Sequence, residues 1–145
     1  MISKDDPLKS LYVDKDRVDR LRLYLALKHY IGIDKDTGDP IFFEEYYDLG
    51  DNEKMIIYLL YRRAIASLGH IEKDEIGIGI RDLSNKIHID YNKVRTLLSE
   101  IESIENEKKR GRYFIPAENI EKAVEEINFE TNIYYSTEEN TKRIH

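Results

Sequence analysis

The 145-residue chain contains no cysteine, no tryptophan and no glutamine, and only three prolines. Without cysteine there are no disulfides, thiolate nucleophiles, iron–sulfur clusters or cysteine-containing zinc sites. No apolar run approaches the roughly 20 residues of a membrane span, and the first residues do not read as a signal peptide, so the expected location is the cytoplasm. A positive balance is missing too. Against 23 Lys and Arg stand 29 Asp and Glu, a net charge of -6 that weighs at first against nucleic acid as a partner. Abundant Ile, Lys and Glu lean towards an archaeal or thermophilic source, tempered by eight Asn.

What remains is 41% hydrophobic and 36% charged, a globular composition with a highly charged surface. The length suits one compact domain, or two very small ones sharing an interface. Asp14 is placed as N-cap of a helix running from Lys15 to Tyr30, with Val18, Leu21, Tyr24 and Leu25 on one face and Leu23 and Leu27 widening it. Tyr30–Asp34 and Pro40–Phe43 alternate around a Lys35–Gly38 turn and predict a short hairpin. A helix from Asp51 to Leu68, stopped by Gly69, carries the consecutive residues Met55 to Tyr61, apolar or aromatic throughout. Such a helix is covered on more than one side, either within the chain or by a second subunit. Ile76-Gly77-Ile78-Gly79-Ile80 then reads as a period-2 strand whose glycines admit close helix packing.

From Arg81 the period changes. Leu83 and Ile87 mark a short helix from Arg81 to His88, Ile89 anchors a turn, and Asp90 caps a second helix. There Val94, Leu97, Leu98 and Ile101 form an i, i+3, i+4, i+7 stripe. Ser84 is small where the two helices approach. A strand from 101–104, a polar turn over Glu105–Gly111 and a return strand Arg112–Pro116 follow, and Glu118–Ile127 closes as an amphipathic helix with Ile120, Ala123, Val124 and Ile127 inward.

Residues 83–94 resemble the helix-turn-helix of prokaryotic and archaeal regulators, and the order of elements over 51–128 resembles the winged helix-turn-helix superfamily. Two positions depart from that pattern: His88 stands where the turn usually has Gly, and Asp90 where the cap is usually Ser or Thr. The expected fold is mainly α with small β, divided into an N-terminal helix and hairpin extension (1–50), the winged domain (51–128) and a C-terminal tail (129–145).

The resemblance implies sequence-specific binding of double-stranded DNA by a transcriptional regulator acting as a homodimer. Asn92, Arg95 and Thr96 would read base edges; Tyr91, Lys93 and Ser99 would contact the backbone, joined by Lys108, Lys109, Arg110 and Arg112 at the hairpin tip. Residues 81–112 carry eight basic against six acidic side chains, the one segment with a positive excess. Pairing of subunits would fall to the 55–68 helix, the N-terminal helix or the C-terminal helix. The alternative is a winged-helix protein-interaction module using the acidic termini and the Tyr46/Tyr47, Tyr58/Tyr61 and Tyr134/Tyr135 pairs. Arg62 and Arg63 are placed to form salt bridges within the chain or across a dimer.

No cofactor, metal or enzymatic role is expected. The four histidines are not spaced as ligands, and the Asp34/Asp36/Asp39 cluster departs from a calcium loop and reads as a hairpin turn.

Overall fold

The computed structural model describes residues 6–127, so the C-terminal tail and the Tyr134/Tyr135 pair lie outside the described residues. The protein is mostly helical with two small antiparallel hairpins. Helix α1 (Lys15–Leu27) is followed by β1 (Ile31–Ile33) and β2 (Pro40–Phe42), then α2 (Asp51–Ser67), α3 (Ile80–Ile87) and α4 (Tyr91–Glu100). The second hairpin is β3 (Glu105–Glu107) and β4 (Arg112–Phe114), and α5 spans residues 120–127. Short 3-10 turns at Pro7–Leu11, Glu44–Asp48, Lys73–Glu75 and Ala117–Asn119 connect them. Among the described residues no helix is long and apolar enough to cross a membrane.

Helix α2 is the centre of the molecule. Met55 to Tyr61 are all buried, because α1 and β1 cover one side while α3 covers another. Of the two ways to cover so apolar a helix, the chain itself supplies the cover, and α2 keeps no apolar face for a second subunit. One continuous core runs from Leu23 through α2, Leu83, Val94 and Ile115 to Ile127. Among the described residues Arg62 and Arg63 form no salt bridge. Arg62 donates to the carbonyls of Ile76 (2.8 Å) and Glu75 (2.6 Å), and Arg63 to that of Ile115 (3.2 Å), stapling distant segments to α2.

Three elements differ from the sequence expectation. The leading strand of the second hairpin forms at Glu105–Glu107, inside the expected polar turn, and not over 101–104, where the Ile104 N–H closes a turn on the Ile101 carbonyl (3.3 Å) and both isoleucines are buried in the core. Helix α1 ends at Leu27, three residues early, and packs through Leu23 and Leu27; Leu21, Tyr24 and Leu25 face outward at 56%, 60% and 52% exposure. Both stripes have helical spacing, and only the position of α2 selects between them. The five-residue strand from Ile76 contracts to one bridge, Ile78 to Tyr113, because Gly79 becomes the N-cap of α3 and Ile80 its first residue. The neighbour that Gly77 admits is the Arg112 side chain on β4, not a helix: an added Cβ would lie 2.9 Å from Arg112 Cβ.

Candidate nucleic-acid interface

The turn between α3 and α4 is built from three local devices. His88 takes the left-handed conformation, φ 56°, ending α3 with its N–H on the Ser84 carbonyl. The Ser84 hydroxyl donates across the turn to the Ile89 carbonyl, which fixes the angle between the helices. The Asp90 carboxylate then accepts from the N–H groups of Asn92 (3.1 Å) and Lys93 (3.4 Å), satisfying two of the otherwise orphan donors of α4.

Helix α4 buries Val94 and Leu98 and half-buries Leu97. This rotation leaves Tyr91, Asn92, Lys93, Arg95, Thr96 and Ser99 exposed together, with no carboxylate among them. The Thr96 hydroxyl donates to the Asn92 carbonyl (3.0 Å) and the Ser99 hydroxyl to that of Thr96 (2.6 Å), bonds that leave each hydroxyl oxygen free to accept. Lys93 forms an ion pair with Asp51 at the start of α2, whereas Arg95 has no ion pair among the described residues. Arg81 lies over the Tyr91 ring, 6.0 Å from its centroid, and joins the same surface. Arg81 and Asp51 are additions to the expected set. Arg81 is readable from its proximity to the motif, but nothing local announces Asp51, 42 residues before Lys93.

The second hairpin is held beside this unit. Ile78 donates to the Tyr113 carbonyl (3.0 Å) and Tyr113 to that of Ile78 (2.8 Å), adding a third strand position to the β3–β4 pair. Its tip divides the four cations expected there. Lys108 and Lys109 are exposed and without ion pairs among the described residues. Arg110 turns back: its Nε donates to Glu107 at 2.6 Å and its Nη2 to the Asp74 carbonyl at 2.9 Å. That pairing holds Glu107 below the ordinary carboxylate range. Arg112 is half-buried against Gly77.

Among the described residues no three His, Cys, Asp or Glu side chains gather closely enough to hold a metal ion. At the first hairpin, Asp34 accepts from the N–H groups of Asp36 (2.9 Å) and Thr37 (3.0 Å), which hold its pKa below the ordinary value. Comparison with protein-family models, curated proteins and solved structures found no match.

Proposed function

We propose that this chain binds double-stranded DNA sequence-specifically as a winged helix-turn-helix, acting in the cytoplasm as a homodimeric transcriptional regulator. The observation that carries the reading is the outer face of α4. Its first two and a half turns expose Arg95, unpaired among the described residues, an amide and hydroxyls, with Lys93 paired to Asp51 at the edge, at the end of a capped helix-turn-helix. Arg95 suits bidentate contact with guanine and Asn92 with adenine, while Thr96 fits either groove edge. Tyr91, Lys93 and Ser99 would contact phosphates, and Lys108 and Lys109 would reach the neighbouring backbone.

The reciprocal bridge between Ile78 and Tyr113 supports the winged topology, since it joins the segment before α3 to the returning strand of the hairpin. Free positive charge is modest because Lys93 and Arg110 are already paired. A single copy would therefore hold DNA weakly, and two copies on an inverted repeat, with the α4 helices about 34 Å apart, would supply the rest. Duplex selection from a random pool at two salt concentrations tests this. Enrichment of an inverted repeat is expected. Binding unchanged when Arg95, Lys108 and Lys109 are all replaced by Ala rejects the reading in favour of a protein-interaction module.

A further inference from the structure

We infer that the outer face of α1 pairs, antiparallel, with the same face of a second copy of this chain. The inference rests on the homodimer proposed above and names its surface. Asp14, Val18, Leu21, Leu25 and Lys28 follow one another at intervals of four, three, four and three residues, the spacing of a helix-pairing seam. Leu21 and Leu25 are more than half exposed, on the side of α1 opposite Leu23 and Leu27, which hold it to α2. With α2 covered inside the chain, this is the apolar helix face left for pairing subunits within α1–α2.

Charge selects both the occupant and the orientation. The stripe begins with Asp14, whose charge is partly offset by Arg17 one turn on, and ends with the cation Lys28, whose ammonium lies 5.8 Å from the centroid of the Tyr24 ring. Two such faces running in parallel would set Lys28 against Lys28 and Asp14 against Asp14. Running antiparallel, each Asp14 end lies beside the other copy's Lys28 end, while the leucines meet in the middle. Arg22, which flanks the seam, is already paired with Glu121 at 3.6 Å.

The same orientation accounts for a second exposed apolar group. Leu8, Leu11, Tyr12 and Val13 precede α1 and are each more than two-thirds exposed. At the C-terminal end of α1 an open groove of about 490 Å³ is lined by Leu23, Leu27, Ile31, Phe43 and Leu68, with Arg20 and Lys28 at its border. In the antiparallel pair, the segment before α1 of one copy reaches the other copy at Tyr24 and Lys28, which border both the seam and the groove, whose Leu23 and Leu27 wall lies on the far side of α1. Asp6 and Asp14, at either end of that segment, are opposite in sign to Arg20 and Lys28.

Light scattering on the full chain without DNA tests the pairing. A mass near twice 17.2 kDa is expected, falling to the single-chain mass in the double variant Leu21→Glu/Leu25→Glu, with helix content and melting temperature of the chain retained. The parent running as a monomer, or the variant as a dimer, overturns the inference. Orientation is read by cysteine cross-linking, which the natural absence of cysteine makes clean. A short bismaleimide should join an Arg17→Cys chain to a Lys28→Cys chain. It should leave Lys28→Cys alone uncoupled, its two sites lying roughly 15–20 Å apart along the helices. Efficient coupling of Lys28→Cys to itself overturns the antiparallel arrangement. Because no DNA is present, a monomeric result is separate from the DNA reading, which half-site binding by the same monomer would still support.

Discussion

Ile78 and Tyr113, 35 residues apart, exchange a pair of backbone hydrogen bonds of 3.0 and 2.8 Å, and through them the second hairpin is fixed to the segment that leads into α3. Gly77, next to Ile78, makes the approach possible, since Arg112 occupies the space a side chain would need. Gly77→Val should destabilise the protein by roughly 1–3 kcal/mol through overpacking, as measured by denaturant unfolding. It should also loosen the hairpin, seen as faster amide exchange at Tyr113. Unchanged protection there would show that the contact does not hold the hairpin.

His88 holds a left-handed conformation that costs a side-chain-bearing residue about 1–2 kcal/mol, more for a β-branched one. His88→Gly should raise the melting temperature and His88→Val should lower it. The order Val, His, Gly in stability is the expected result of a thermal series, and a reversed order would mean that the His88 side chain contributes more than its backbone costs.

Glu107 restrains Arg110. Replacing it by Gln should release the guanidinium towards phosphate, strengthening duplex binding and steepening its salt dependence by roughly 0.9 in the log–log slope. Lys108→Ala and Lys109→Ala should each do the opposite by the same amount, on every sequence alike. Asn92→Ala and Arg95→Ala should instead cost about 1–3 kcal/mol on the preferred sequence and relax selectivity. Anisotropy titrations at several salt concentrations separate the two patterns.

The acid limb of stability has a definite sign. Glu107 beside Arg110, Glu102 beside Lys122 and Asp34 under two backbone N–H groups all have folded pKa values lowered from the ordinary carboxylate range. Their stabilisation is present above the unfolded carboxylate values and is lost as pH falls through the lower folded ones. Unfolding followed from pH 6 to pH 2 should show that loss, and Glu107→Gln should make the curve shallower.

At the alkaline end burial raises the pKa of Tyr46, Tyr58 and Tyr61. Their neutral forms stabilise the fold fully below the unfolded tyrosine value, about pH 10, and this is lost as pH rises towards the folded values. Tyr61→Phe should also weaken the first hairpin, because the Tyr61 hydroxyl donates to the Gly38 carbonyl at its turn. The expected cost is roughly 1–3 kcal/mol if that carbonyl is left buried without a donor. Equal stability of the variant at neutral pH would show that water replaces the hydroxyl.

Local chemistry made much of this molecule readable. Asp14 and Asp90 cap α1 and α4 where short polar side chains before an apolar stripe predict a cap, and the turn at Asp34–Gly38 closes the first hairpin. Val94 and Leu98 face inward as their spacing requires. The tip cations were readable as a cluster but not as individuals. Whether Arg110 faces solvent depends on Asp74, 36 residues away, and the pairing of Lys93 depends on Asp51 in the same way.

Capping, turn geometry and apolar period act within a few residues, so the sequence by itself placed helices α1 to α4 to within about three residues and the first hairpin at its turn, while the leading strand of the second hairpin moved from 101–104 to Glu105–Glu107. It also determined which face of α4 is wet. Tertiary structure decided the rest, because two faces of one helix or two ends of one cation cluster are equivalent until a distant element covers one of them. The placement of α2 chose Leu23 and Leu27 over Leu21 and Leu25 as the buried side of α1. The start of α3 at Ile80 left a single rung, Ile78 to Tyr113, of the expected five-residue strand, and Glu107 with Asp74 took Arg110 out of the free positive surface.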